Sequence, residues 1–146
     1  MKIAIGSDHA GFQLKEELKV FLQGKGIDTE DFGAYSEESV DYPDYAIPLA
    51  ESVARGEEKF GILICGTGIG MSIAANKVKG IRASLCGNEY SARCAREHND
   101  ANVLCLAGRV LKEELAKEIV NIWLNTSFLG GRHKRRIDEI TNYEKK

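Results

Sequence analysis

The run Cys65-Gly66-Thr67-Gly68-Ile69-Gly70 sets a thiol directly before alternating glycines, between the apolar string Phe60-Gly61-Ile62-Leu63-Ile64 and the helix-patterned stretch Met71 to Lys77. A strand that breaks into glycines where a helix starts aims several unpaired backbone N–H groups, and the positive end of the helix dipole, at one small volume. That arrangement makes an anion site. A thiol at its edge has its thiolate favoured, so Cys65 is a candidate base or nucleophile.

Three familiar phosphate or nucleotide motifs can be tried on these letters. A P-loop needs a closing Gly-Lys-Ser/Thr, and a Cys-x5-Arg phosphatase needs an arginine where this chain has Met71. A dinucleotide fingerprint GxGxxG would also need its third glycine at Met71, so only a weak version of it is left. A glycine-rich turn alone is often mere chain geometry. A cysteine at the strand end immediately before it is harder to explain that way.

Other polar segments fall at strand ends. Gly6-Ser7-Asp8-His9 follows the first apolar run and Gly108-Arg109 the last, so both belong with the Cys65 loop at the carboxyl ends of strands, where ligands collect in an open parallel sheet. Asp8-His9 reads alternatively as a helix cap with a solvent-facing imidazole. Glu97-His98-Asn99-Asp100-Ala101-Asn102 instead precedes the last strand, at the opposite end of the sheet. If His98 and Asn99 act in the same site, the loop curls back or a neighbouring subunit supplies them, as a symmetric dimer would. The plainer alternative is a helix ending in His and Asn, with the imidazole favouring the dipole. Arg132-His133-Lys134-Arg135-Arg136 opens the final helix, where cations are unfavourable unless an anion offsets them. Arg132 and Arg136 share one helical face and suit a phosphate; a solvated charge run is the alternative.

The elements that must hold these residues follow from periodicity. Apolar runs at Lys2 to Ile5, Ile27 to Phe32, Phe60 to Cys65, Ile81 to Cys86 and Asn102 to Ala107 predict five strands, and helix-patterned segments separate most of them. Leu14, Leu18, Phe21 and Leu22 form one helical face, and Leu111, Leu115, Ile119, Ile122 and Trp123 another. Runs apolar on both faces imply a parallel sheet covered on each side. The chain of 146 residues is the length of one domain, with a last helix from about Arg132 to Tyr143 that could reach beyond the core. A net charge of −2 argues against nucleic-acid and anionic-membrane partners. No secretory signal is visible, so a cytoplasmic protein is expected. The four cysteines, Cys65, Cys86, Cys94 and Cys105, show no metal-ligand spacing, and the last three read as buried small hydrophobes.

Taken together, SDHAGF at 7 to 12, SVDYPDYA at 39 to 46, ICGTGIGMSIAANK at 64 to 77, GIRA at 80 to 83, REHNDANVL at 96 to 104 and GGRHKRRI at 130 to 137 resemble the type B ribose-5-phosphate isomerase family. That family also contains allose-6-phosphate and galactose-6-phosphate isomerases. The resemblance implies an α/β/α sandwich around a five-stranded parallel sheet, at least a homodimer with shared sites, and aldose-ketose isomerisation of a sugar phosphate without metal or cofactor. It makes Cys65 the base, His98 the group that opens the furanose ring, and Thr67 and Asp8 further catalytic side chains. The substrate-binding set it implies is His9, Tyr42, Gly66, Gly68, Ile69, Gly70, Asn99, Arg109, Arg132 and Arg136. One branch of the family uses a glutamate just past the last loop glycine; Met71 there resembles the cysteine branch. Hexose-6-phosphate isomerisation, a non-catalytic phosphosugar-binding module and a dinucleotide oxidoreductase are the competing readings.

Overall fold

In the computed structural model, which describes residues 1–146, strands and helices alternate along the chain. The strands are β1 (Lys2–Ser7), β2 (Asp28–Asp31), β3 (Phe60–Cys65), β4 (Ala83–Leu85) and β5 (Val103–Ala107). The helices are α1 (Phe12–Gly24), α2 (Pro43–Ala54), α3 (Ile69–Ala75), α4 (Glu89–Glu97), α5 (Glu113–Asn125) and α6 (Arg132–Glu144), with a single 3-10 turn at His9–Gly11 before α1. The strands form one sheet in the order β2-β1-β3-β5-β4, and every pairing is parallel. No helix is long and apolar enough to cross a membrane.

Side chains alternate across a strand, so each strand feeds two cores. Ile3, Ile5, Ile62, Ile64, Leu104 and Leu106 point to the layer built by α1, α4 and α5, whose Leu18, Leu22, Ala92, Ile119 and Trp123 are buried there. Ala4, Leu63, Cys65, Val103 and Cys105 point to the layer of α2 and α3, against Leu49, Ala50, Met71 and Ala75. Trp123 is fully buried, edge-on to Phe60 at 4.9 Å, and its indole N–H donates to Ser84 Oγ at 3.2 Å.

The three central strands match the expected runs closely, but the two edges are shorter. Ile81 and Cys86 are buried yet lie outside the β4 ladder, and β2 is the polar tetrapeptide Asp28-Thr29-Glu30-Asp31. Polar side chains on an edge strand discourage further pairing. The apolar face of α5 is also displaced from the expected one. Leu111 precedes the helix, and Ala116 and Val120 fill buried positions while Leu115 and Ile122 lie at the margin.

The topology sets where a ligand fits. From β1 the chain crosses to β2 on one side and returns to β3 on the other, so the sheet reverses direction between β1 and β3. At such a switch the loops leaving the two strands diverge and open a crevice at their carboxyl ends.

Candidate active site

The crevice is bounded by the residues that follow β1, β3 and β5. Ser7 pairs with Ile64 across the switch, and the Asp8 N–H donates to the Ile64 carbonyl at 3.2 Å. The Asp8 carboxylate accepts from Ala10 N–H at 2.9 Å and Gly11 N–H at 3.1 Å. It therefore caps the 3-10 turn, and holds His9 at the lip. Gly11 must be glycine, since an added Cβ would lie 2.3 Å from the Ile64 carbonyl oxygen. His9 Nδ1 accepts the Val40 N–H at 3.1 Å, which fixes the tautomer with the proton on Nε2, free to donate outward.

Cys65 ends β3 and is 5% exposed. Beyond it the chain turns at Gly68, whose φ of 76° suits glycine and whose missing side chain leaves room for Leu85 and the Leu106 carbonyl. The Ile69 N–H donates to Thr67 Oγ1 at 3.2 Å. The N–H groups of Gly66, Thr67, Gly68 and Gly70 donate to no acceptor within the chain. The helix that follows has only 7 residues, so the attraction for an anion comes from these local dipoles more than from a long helix. Arg109 lies over Gly66, its Nη1 3.6 Å from where a Cβ would be, and the Tyr42 ring covers Gly70, 2.7 Å from where a Cβ there would be. The loops are tied together by Gly108 N–H to the Cys65 carbonyl at 2.8 Å and Arg109 N–H to the Gly66 carbonyl at 3.1 Å.

Burial, and then the neighbouring Cys65 and Cys86, push the Cys105 thiol far up, and burial likewise pushes up Cys86, so both stay protonated. Cys94 is only half-buried, unlike the buried residue the sequence suggested.

The remaining candidates stand elsewhere. His98 caps α4 and Asn99 follows it, before β5 begins at Val103; β5 then runs to Ala107, which pairs with Cys65. A strand of that length separates the two ends of the sheet by roughly 13 Å. Arg132 and Arg136 belong with His98, because the His98 ring stacks on the His133 ring of α6, with centroids 4.3 Å apart and planes at 14°. Desolvation, then the neighbouring His98, Arg132 and Arg136, lower the His133 pKa against the pull of Glu97, and so favour its neutral form. One chain therefore groups Asp8, His9, Tyr42, Cys65, Gly66, Thr67, Gly68, Ile69, Gly70 and Arg109 at one end of the sheet. It groups His98, Asn99, Arg132 and Arg136 at the other.

Neither sizeable cavity encloses Cys65. The larger, about 680 Å³, lies under β4, α4 and α6 and is lined by Arg82, Leu85, Cys94, Asn99, Ile137 and Glu144 among others; the smaller, about 330 Å³, adjoins Arg109 on the α1 side. Beside the loop an apolar strip is open to solvent: Ile69 and Ile73 on α3 and Leu85 on β4, which lies against Gly68, are each more than two-fifths exposed. No three His, Cys, Asp or Glu side chains gather closely enough to hold a metal ion.

The fold coincides with that of known proteins. A family model described as ribose/galactose isomerase matches residues 3–140. The chain belongs to the ribose/galactose isomerase family. The isomerase is 52% identical to ribose-5-phosphate isomerase B of Escherichia coli, over 99% of this chain and 97% of that protein. It is 46% identical to D-erythrulose-4-phosphate isomerase of Pectobacterium atrosepticum, over 99% of this chain and 95% of the other. Its fold superimposes on ribose-5-phosphate isomerase B of Clostridium thermocellum with a TM-score of 0.98 and 55% identity, covering 99% and 98% of the two chains.

Sequence reasoning missed the residues that hold the isomerase's loops. Val40 orients His9, Leu85 covers Gly68, and Arg82, Arg96 and Asp100 brace the segment carrying His98. Only Arg96 and Asp100 left a trace, an opposite-charge pair four residues apart.

Proposed function

We propose that the isomerase interconverts ribose 5-phosphate and ribulose 5-phosphate through a cis-enediolate, with the Cys65 thiolate as the base. The observation that carries this reading is the cysteine at the end of β3 beside the unpaired amides of Gly66, Thr67, Gly68 and Gly70. Cys65 takes the proton from C2 of the open-chain aldose, negative charge builds on O1, and the amides face that charge. The same proton, or one from solvent, is then delivered to C1. Thr67, the only hydroxyl in the loop, both donates and accepts, which suits proton movement between O1 and O2. Preorganised donors of this kind each lower such a barrier by about 3 to 4 kcal/mol, and a positioned base contributes about 10² to 10⁴ in rate.

A sugar phosphate long enough to close exists mainly as a ring, so an acid-base group must open it first, and His98 has the appropriate chemistry. His98, Asn99, Arg132 and Arg136 reach the crevice from a second copy of the chain, whose approach would also cover the apolar strip of Ile69, Ile73 and Leu85. His9, Arg109, Arg132 and Arg136 then grip the phosphate, and the remote binding energy orients the reacting carbons. The resemblance to the Escherichia coli enzyme supports a five-carbon substrate. A four-carbon substrate is the second reading, favoured by the Pectobacterium atrosepticum relative.

The test offers ribose 5-phosphate, allose 6-phosphate, galactose 6-phosphate and D-erythrulose 4-phosphate in parallel to wild type and Cys65→Ala. Ribose 5-phosphate should be converted fastest, and Cys65→Ala should lose at least about 10³ in kcat with an unchanged melting midpoint. Near-normal turnover by Cys65→Ala would remove the thiolate from the mechanism.

A further inference from the structure

The loop that carries His98 is held by a charge cluster whose innermost member, Arg96, is buried. Asp100, two residues on, adopts a left-handed backbone with φ of 45°, a region that L side chains enter at a cost. Its carboxylate bridges two arginines, Oδ1 accepting from Arg96 Nη1 at 3.1 Å and Oδ2 from Arg82 Nη2 at 3.4 Å. The same guanidinium groups hold the main chain. Arg82 Nε donates to the Asn99 carbonyl at 3.2 Å and to the Asp100 carbonyl at 2.9 Å, and Arg96 Nη1 donates to the Ala101 carbonyl. Asn102 closes the loop, its Oδ1 accepting the Arg82 N–H at 2.8 Å and its Nδ2 donating to the Gly80 carbonyl at 2.9 Å. Residues 99 to 102 are thus fastened one after another. The Asn99 amide and the His98 ring nitrogens, in contrast, make no hydrogen bond within the chain.

Arg96 makes the arrangement costly. It is 7% exposed, with its guanidinium 4.6 Å from the Phe60 ring centroid and 5.3 Å from that of Trp123. Burying a charge carries a desolvation penalty that a neutral cap or a glycine turn would avoid, so closure of the chain alone does not call for it. What two planar, forked donors sharing one carboxylate add is directional rigidity. We propose that Asp100, clamped between Arg82 and Arg96, is a positioning residue that holds His98 in the geometry that meets the sugar ring. This inference rests on the reading that His98 opens that ring.

A double-mutant cycle tests it. Asp100→Asn keeps the shape and tolerates the left-handed backbone but gives up the charge shared by the arginines. In an otherwise wild-type enzyme it should lower kcat for ribose 5-phosphate by about 10-fold to 100-fold with little change in KM. In a His98→Ala background the same substitution should cost less than about twofold, because the group it positions is already gone. An equal loss in both backgrounds would make Asp100 merely structural, and an unchanged kcat would remove its role. If Asp100→Asn fails to fold, Arg82→Lys is taken through the same cycle, since it keeps the charge but loses the Nε fork to the Asn99 and Asp100 carbonyls. A His98→Ala enzyme at full speed removes the ring-opening reading and this inference with it. A crippled His98→Ala beside an unaffected Asp100→Asn removes only this inference.

Discussion

Two glycines at the crevice look interchangeable and are not. A Cβ on Gly11 would collide with the Ile64 carbonyl, which belongs to the sheet and has nowhere to go, whereas a Cβ on Gly70 would meet the Tyr42 ring, a side chain that is 38% exposed and free to swing. Gly70→Ala should therefore fold with a melting midpoint close to wild type but displace Tyr42 from the crevice wall. The expected result is a KM for ribose 5-phosphate raised about tenfold, a change of about 1.4 kcal/mol in binding, with a smaller effect on kcat. Initial-rate kinetics beside a thermal melt would check it. A variant with unchanged KM would take Tyr42 out of the substrate pocket. At this scale the letters were informative about local placement. Cys65 stands before its glycines at the end of β3 as read, and Asp8 stands at a strand end, where one carboxylate oxygen caps the turn as the plainer reading had it. Arg96 did not, because its meaning depends on Phe60 and Trp123, both distant in sequence.

Among the elements, α1 and β2 are joined by a charge cluster that patterns of apolar residues cannot reveal. Lys15 lies on the buried face of α1 with no exposure, and its ammonium is held by both Asp31 oxygens, at 2.7 and 2.8 Å. Lys19 adds a contact at 2.7 Å and the Gly33 N–H another at 2.8 Å. Burial alone would raise the Asp31 pKa, but these donors outweigh it and hold the carboxyl below its ordinary 3.8. Because the folded value is depressed, the stabilisation is present above the ordinary value and is lost as pH falls through the lowered one. Asp31→Ala would leave the buried Lys15 ammonium with Glu16 alone, at 3.3 Å, and should cost about 3 kcal/mol in urea unfolding at neutral pH. A loss under about 1 kcal/mol would show that water reaches Lys15. The edge strands make a related point about legibility. The run Ile81 to Cys86 reads as a strand because it is apolar, but β4 pairs over only Ala83–Leu85, with the Cys86 N–H still donating to the Cys105 carbonyl at 3.2 Å. Strand β3 was read to the residue because it is apolar on both faces and ends abruptly in glycine.

For the whole molecule, the parallel sheet was legible from the alternation of apolar runs with helical stretches, and so was the separation of His98 from Cys65. A segment just before β5 must lie at the amino end of the sheet, and Cys65, paired with Ala107, must lie at the carboxyl end. What one chain's letters do not carry is the surface that brings the ends together, since Leu85 on β4 joins Ile69 and Ile73 of α3 beside Gly68 only after folding. The central claim is that each working site joins the Cys65 end of one chain to the His98 end of another. Mixing Cys65→Ala with His98→Ala protein under conditions of proven subunit exchange measures this directly. Each variant alone should be nearly inactive on ribose 5-phosphate. In a random mixture half of the dimers are mixed and each carries one intact site of two, so about one quarter of wild-type turnover should return. Subunit exchange with no recovery of activity would contradict the account.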